Sequence, residues 1–255
     1  MPFVTVNSLP CHYQRSTPAT EGPQQAVLFV HGAGGSHQHW RFQLAHLGKD
    51  CLAMAVDLPG HGLSEGHALD RIEAYSKFIK DFSDMVMDSP FFLVGHSMGG
   101  AIAMDFAFNH PERLAGLILV GTGSRLRVMP KLLETYKNNE YFPGLENFMY
   151  STDIHPTTLQ QAKEELERVH PSVFYADFTA CNLFDATDRL EKIQVPTLVI
   201  AADKDVMTPI KYSQGLVDKI PNSKLAIIPG AGHMMMLERP KELNQAILSF
   251  AESVD

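Results

Sequence analysis

The chain has 255 residues, enough for one large α/β domain, and its 45% hydrophobic and 20% charged content is typical of a soluble globular protein. Its formal net charge of −8 argues against a nucleic acid or an anionic membrane as partner, because both bind a basic protein face. Three widely spaced cysteines, with no secretory signal pattern and no long apolar run, predict a cytoplasmic protein without disulfides or a membrane span.

Short apolar runs alternate with amphipathic stretches along most of the chain. Runs of this kind predict buried parallel strands, and the stretches between them predict helices on both faces of one sheet. Near the N-terminus, VTVN and CHYQR predict a small antiparallel hairpin at one edge of that sheet. Strands are expected at 26–32, 51–60, 90–97, 114–121, 196–203 and 223–230, and helices near 39–47, 70–88, 98–109, 209–220 and 240–253.

The alternation breaks between residues 122 and 185. This segment predicts helices but no strand, and it is rich in aromatic residues. One helix is expected to open with a capping box at Thr157 and Gln160. We expect a helical cap at 122–185, inserted in a core made of residues 1–121 and 186–255. The alternative is a helical subdomain that only adds to the core.

The pentapeptide Gly95-His96-Ser97-Met98-Gly99 lies between a predicted strand and a predicted helix. A sharp strand-to-helix turn needs small flanking residues and exposes the serine at its tip. The competing interpretation is a nucleotide-binding loop, but the GxGxxG and Walker A patterns are both absent. Ser97 is therefore the candidate nucleophile.

A serine hydroxyl becomes nucleophilic when a base lies within hydrogen-bond reach and an acid orients that base. His233 follows the last predicted strand in a glycine-bounded loop and is the candidate base. Asp203 and Asp205 both follow the preceding strand. We expect Asp205, which lies further out, to reach the histidine and Asp203 to shape the loop.

Acyl transfer also needs hydrogen-bond donors for a developing oxyanion. The candidates are the backbone N–H groups of Met98, which follows the nucleophile, and of Ala33 in the sequence HGAGG. Twelve histidines without an HxxxH or HExxH pair predict no metal site.

An apolar substrate pocket is expected from methionines and cap aromatics, with Met234, Tyr150 and Phe178 as its candidate residues. Plain core packing is the alternative for such side chains. Arg125 and Arg127, at the start of the cap, are candidate contacts for a substrate carboxylate, with a solvated pair of arginines as the alternative.

Together these residues resemble the α/β-hydrolase family in four separated segments: FVHGAGGSHQHW, DLPGHGLS, GHSMGGAIAM, and AADKDVMTP with PGAGHMMMLERP. The resemblance implies an α/β-hydrolase fold, with a mostly parallel eight-stranded sheet flanked by helices. It also implies a Ser-His-Asp triad and no cofactor.

The expected activity is hydrolysis of a small to medium carboxylic ester through an acyl-enzyme on Ser97. The expected partner is a small-molecule ester, and the oligomeric state is open between monomer and homodimer. Carbon–carbon bond hydrolysis of a diketone-like ring-cleavage product is the main alternative. Perhydrolase, lactonase and thioesterase chemistry use the same triad, and a ligand receptor that retains the triad is a further alternative.

Overall fold

The structure is a computed structural model that describes residues 2–16, 25–48 and 51–254. The described residues form one eight-stranded sheet in the order β1-β2-β4-β3-β5-β6-β7-β8. The strands are β1 (Phe3–Val6), β2 (Leu9–Arg15), β3 (Ala26–Val30), β4 (Leu52–Val56), β5 (Phe91–His96), β6 (Leu114–Val120), β7 (Thr197–Ala202) and β8 (Ser223–Ile228).

Strands β1 and β2 form an antiparallel hairpin, and β2 pairs antiparallel with β4. Every other neighbouring pair is parallel. The structure thus confirms the predicted edge hairpin and the mostly parallel eight-stranded sheet.

Ten α-helices connect and cover these strands in the described residues. They are α1 (Arg41–Leu47), α2 (Ile72–Val86), α3 (Met98–Asn109), α4 (Pro130–Lys137), α5 (Glu146–Met149), α6 (Pro156–Arg168), α7 (Pro171–Leu183), α8 (Ile210–Val217), α9 (Met235–Glu238) and α10 (Pro240–Glu252). Each helix predicted outside residues 122–185 is present within a few residues of its expected limits.

The central strands are almost entirely apolar, because both faces of the sheet are covered; the exceptions in β5 and β7 are His96 and Thr197. Every residue of β3, β5 and β7 is buried. One core cluster packs α2 and α3 on one face of the sheet, and a second packs α1 and α10 on the other. Helix α3 is buried nearly all round, as expected for a helix without a polar face.

Four helices, α4 to α7, lie between β6 and β7, where the sequence predicted helices alone. Arg125 and Asp185 form an isolated antiparallel bridge near the two ends of this segment. The division into a core and a cap at 122–185 remains a prediction.

The predicted capping box at Thr157 and Gln160 is wrong. Helix α6 begins one residue earlier, at Pro156, and its N-cap is His155, whose Nδ1 accepts the backbone N–H of Thr157 over 3.2 Å. His155 supplies an acceptor for an N–H group of the first helical turn. Pro156 has no backbone N–H, so it leaves no donor unsatisfied at the helix start.

Candidate active site

Ser97 occupies the sharp turn between β5 and α3, with φ 53° and ψ −115°. This backbone conformation is strained for a residue with a Cβ. The flanking glycines are a steric requirement: a Cβ at Gly95 would lie 2.1 Å from the carbonyl oxygen of Gly99. A Cβ at Gly99 would lie 2.4 Å from the carbonyl oxygen of Val30. The N–H of Ser97 donates to the carbonyl of Val120 over 2.9 Å, which ties the turn to β6.

His233 and Asp205 form a buried hydrogen-bonded pair, with His233 Nδ1 2.8 Å from Asp205 Oδ2. The loop after β7 holds the carboxylate in place. Its Oδ1 accepts the backbone N–H groups of Met207 and Thr208, each over 2.9 Å. Its Oδ2 also accepts the hydroxyl of Thr208 over 2.7 Å. Asp203, by contrast, accepts the N–H of Gly230 over 2.7 Å and so ties its own loop to the turn that follows β8.

The charge state of Asp205 fixes the tautomer of His233. Burial raises the pKa of Asp205, but the charge and hydrogen bond of His233, together with Thr208, outweigh burial and hold this pKa below its usual range. An ionised carboxylate only accepts hydrogen bonds, so His233 carries a proton on Nδ1. The lone pair of the neutral imidazole is then on Nε2.

Ser97 and His233 line two cavities that adjoin each other. Counting the space that is open to solvent, one has a volume of about 390 Å³ and the other about 440 Å³. Both are lined by Ala33, Ser97, Phe178, Met207 and His233. The first is otherwise mostly apolar, with Leu145, Met149, Phe174 and Met234 among its lining residues. The second also contains Arg127, Thr208 and Tyr212. The serine hydroxyl and the imidazole are thus available to one bound molecule.

Ala33 lines both cavities at this serine, and Met98 is the residue that follows it in the chain. Ala33 is in a tight turn closed by the N–H of Gly35, which donates to the carbonyl of Gly32 over 3.1 Å. Met98 is the first residue of α3. The N–H groups of a first helical turn have no acceptor inside the helix. The positive end of the helix dipole adds to their attraction for an anion.

Two further histidines lie behind the site, and the sequence analysis did not single them out. His96 Nε2 donates to the backbone carbonyl of His233 over 3.0 Å. His31 Nδ1 donates to the carbonyl of Gly32 over 2.8 Å, and its Nε2 accepts the N–H of Leu58 over 3.2 Å. Burial lowers the pKa of His31 to about 3 and holds the pKa of His96 well below its usual range. Both imidazoles are therefore neutral supports of the backbone around the site.

The structure brings together only part of the predicted substrate pocket. Met234 and Phe178 line the cavities that contain Ser97. Tyr150 instead lines a separate cavity together with Gly34 and His61. Arg125 lines a different surface pocket, and its Nε lies 3.3 Å from Asp185 Oδ2. The pocket residues that the sequence analysis missed include Phe174 and Met207.

One group of side chains in the described residues has metal-ligand chemistry. His12, His37 and Asp57 are buried, and their potential ligand atoms lie within 4.8 Å of one another. All three also have hydrogen-bond partners: His12 Nδ1 lies 2.8 Å from Asp57 Oδ2, and His37 Nδ1 lies 3.0 Å from both carboxylate oxygens. The cluster ties β2 and the end of β4 to the short helical turn that begins at His37. The expectation of no metal site remains a prediction.

Among the described helices, none combines the length and apolar character needed to cross a bilayer. The solved structure of a thermophilic esterase is similar to this chain, with 30% sequence identity and a TM-score of 0.85, and the match covers 99% of this chain and 97% of the other.

Two curated relatives align along nearly their whole length. A protein of Caulobacter sp. (strain K31), named "Putative carbamate hydrolase RutD", is 29% identical over 94% of both chains. A 2-hydroxy-6-oxo-6-phenylhexa-2,4-dienoate hydrolase of Burkholderia cepacia is 26% identical, over 97% of this chain and 95% of the relative. The profile of the alpha/beta hydrolase family matches residues 27–246, which is most of the chain. The chain therefore belongs to the alpha/beta hydrolase family, as its fold and its sequence motifs predicted.

Proposed function

We propose that this protein is a serine hydrolase that cleaves small to medium carboxylic esters. One observation carries the proposal: the strained Ser97 and the Asp205-bound imidazole of His233 line the same cavities. The serine supplies the nucleophile, the imidazole the base, and the carboxylate the orientation of that base.

In the first half of the reaction, His233 Nε2 takes the proton of the Ser97 hydroxyl while Oγ attacks the ester carbon. The N–H groups of Ala33 and Met98 donate to the tetrahedral oxyanion. Collapse of this intermediate breaks the bond to the alcohol oxygen, and the imidazolium returns its proton to that oxygen. The products of this half are the alcohol and an acyl-Ser97.

In the second half, a water molecule donates its proton to His233 Nε2 and attacks the acyl carbon. The same two N–H groups hold the second oxyanion. The bond to Ser97 Oγ then breaks, the proton returns to Oγ, and the carboxylic acid leaves. Asp205 stays ionised throughout and stabilises the imidazolium in both halves.

Residues 122–185 are proposed to act as a cap that shapes the substrate pocket, on a core of residues 1–121 and 186–255. Leu145, Met149, Phe174 and Phe178 of this segment line the cavities beside Ser97. Their apolar surfaces suit an alkyl or aryl group of the ester. The esterase named above, 30% identical along nearly the whole chain, supports the ester as the substrate class.

The test compares turnover of p-nitrophenyl esters of two to twelve carbons with labelling by a fluorophosphonate, located by mass spectrometry. We expect a Ser97 adduct in the wild-type protein, with no adduct and a loss of turnover of at least about 10³-fold in Ser97→Ala. The matched control is Ser249→Ala, an exposed serine on α10. Ester turnover that survives Ser97→Ala would overturn the proposal.

A carbon–carbon bond hydrolase is the second candidate, and Arg127 favours it. Arg127 lines one of the two cavities with Ser97 and His233, and it lines the neighbouring surface pocket with Arg125 and Lys211. A substrate that carries a carboxylate would find these cations in a chain that is otherwise acidic. The relative from Burkholderia cepacia carries the name of a dienoate hydrolase.

Two substrates separate the candidates. Turnover of a vinylogous 1,5-diketone acid without turnover of any ester would favour the second candidate. A second comparison, between turnover of the hemi-ester of a dicarboxylic acid and turnover of its neutral diester, measures how much the cations favour an anionic substrate. A preference for the hemi-ester that disappears in Arg127→Gln, but not in Lys131→Gln, would show that Arg127 binds the anionic group.

A further inference from the structure

Asp177 is a buried carboxylate on α7, in the middle of the helical segment, and the proposed mechanism does not use it. Its side chain is inaccessible to solvent, and it is hydrogen-bonded to groups in three other parts of the chain. Oδ2 accepts the backbone N–H of Gly34 over 2.8 Å and lies 2.8 Å from His61 Nε2. Oδ1 accepts the hydroxyl of Tyr75 over 2.6 Å.

The most consequential of these contacts is the one to Gly34. Gly34 follows Ala33 in the turn that Gly35 closes onto Gly32, so the two central residues of this turn are the proposed oxyanion donor and the residue held by Asp177. A hydrogen bond to the central peptide of a tight turn fixes the orientation of that peptide. The position of the neighbouring donor is thereby restricted as well.

A second side chain of α7 presses on the same residue. Gly34 has φ +62°, and a Cβ there would lie 2.1 Å from Cε1 of Phe174. Phe174 and Asp177 are three residues apart, so they lie on one face of the helix. One of them packs against Gly34 and the other accepts its N–H, which leaves the glycine little freedom to move.

The other two partners hold the carboxylate itself in place. His61 Nδ1 lies 3.0 Å from the carbonyl of Pro59, so both ring nitrogens face acceptors and the imidazole is positioned to carry two protons. Burial opposes that charge, but Asp177 outweighs burial and raises the pKa of His61. Burial and the carboxylate also raise the pKa of Tyr75 well above its usual range, so its hydroxyl remains a donor.

We propose that Asp177 is a positioning residue, by which the helical segment at 122–185 fixes the turn that carries the Ala33 oxyanion donor. The proposal rests on the proposed function, because it assigns Ala33 that role. It means that this segment contributes to the rate of the chemical step as well as to the shape of the pocket. A donor that drifts by a fraction of an ångström loses much of its effect on the transition state.

The test replaces Asp177 with leucine, which has a similar size but no acceptor, and with asparagine, which keeps one acceptor oxygen. We expect kcat on p-nitrophenyl butyrate to fall by about 10- to 100-fold in Asp177→Leu, with KM within about twofold of the wild type. The inhibition constant of an aryl trifluoromethyl ketone, which forms a tetrahedral adduct, is expected to rise by the same factor as kcat/KM falls. The kcat and the inhibition constant of Asp177→Asn are expected to lie between those of the wild type and those of Asp177→Leu.

The matched control is Thr179→Val on the same helix, which removes a hydroxyl that donates to the carbonyl of Tyr175 over 2.6 Å, a bond within the helix itself. This variant is expected to leave kcat and the inhibition constant unchanged. The folded fraction of each protein is measured by far-ultraviolet circular dichroism. A folded Asp177→Leu protein with wild-type kcat and inhibition constant would overturn the proposal.

Hydrogen exchange of the Gly34 amide in the wild-type protein keeps the proposal testable if the leucine variant does not fold. We expect protection comparable to that of the amides in β5, because a buried carboxylate holds this N–H. Exchange at the rate of an exposed loop would contradict the proposal. Failure of this proposal can be distinguished from failure of the proposed function. If the proposed function is wrong, the wild-type protein itself has no Ser97-dependent ester turnover.

Discussion

Asp205 Oδ2 and His233 Nδ1 lie 2.8 Å apart although 28 residues separate the two along the chain. The sheet explains their proximity. Asp205 follows β7 and His233 follows β8, and these strands are parallel neighbours with Ala202 opposite Ile228. The ends of parallel strands meet at one edge of a sheet, so the two loops lie side by side. Strand β5 ends at the same edge, and Ser97 is the next residue.

Asp205→Asn is expected to reduce kcat by about 10³- to 10⁴-fold while the protein stays folded. An asparagine can present its NH₂ group to Nδ1, which favours the wrong imidazole tautomer and leaves Nε2 without its lone pair. Steady-state kinetics on a p-nitrophenyl ester measure this effect. Asp203→Asn is the matched control, because Asp203 bonds to Gly230 and not to the imidazole. Equal losses in the two variants would show that the aspartate next to His233 has no special role.

Gly95→Ala is expected to destabilise the protein by more than about 3 kcal/mol, because the new Cβ would lie 2.1 Å from a backbone oxygen that cannot move aside. The matched control is Gly215→Ala in the exposed part of α8, where a Cβ meets no heavy atom within 4 Å. That change is expected to stabilise the helix by about 0.5–1 kcal/mol. Urea denaturation measures both variants. A stable Gly95→Ala protein would contradict the steric account of the turn.

The fold and the three proposed catalytic residues could be predicted because they depend on local patterns. Continuous apolar runs predicted the buried strands, and the ends of those strands predicted where Ser97, Asp205 and His233 meet. Gly95 and Gly99 also favoured this prediction, and the structure explains why glycine is needed there, because a Cβ at either position would clash with a backbone carbonyl oxygen.

The pocket residues were harder to predict because they depend on how α4 to α7 pack on the sheet. A helical pattern shows which residues share a face but not what that face contacts. Tyr150 and Phe178 are both buried aromatics of this segment, yet only Phe178 lies beside Ser97. The sequence did not point to Asp177 for a related reason. An isolated aspartate in an apolar helix gives no sign that its side chain accepts hydrogen bonds from three donors elsewhere in the chain.

Phe178→Ala is expected to shift the preferred ester toward longer acyl chains. The ring lines both cavities at Ser97, and its centroid lies 5.8 Å from the centroid of the Phe174 ring. Its removal would enlarge the space beside Ser97 and leave room for a longer acyl chain. Values of kcat/KM across two to twelve carbons give the profile. Phe148→Ala is the control, because Phe148 is 44% exposed. An unchanged profile in Phe178→Ala would mean that the acyl group binds elsewhere.

Stability is expected to fall as the pH drops below about 6.5, partly because of His31. This imidazole is inaccessible to solvent, accepts the N–H of Leu58 through Nε2, and cannot do so once that nitrogen is protonated. Its pKa of about 3 in the folded protein lies below the unfolded value of 6.5. The unfolded chain therefore binds the proton first as the pH falls.

The contribution of His31 is thus complete above 6.5 and is lost as the pH falls from 6.5 toward 3, with a slope of up to about 1.4 kcal/mol per pH unit. Urea denaturation at half-unit steps of pH measures the slope. The variant His31→Gln keeps a donor and an acceptor but cannot titrate. Its slope between pH 6 and pH 4 is expected to be smaller by about 1.4 kcal/mol per pH unit, which is the equivalent of one bound proton. The contributions of His96 and Asp205 to stability are also lost on acidification, since both groups have lowered pKa values. Both groups remain in the variant, so part of the slope remains as well. Identical slopes in the two proteins would show that His31 does not titrate differently in the folded and unfolded states.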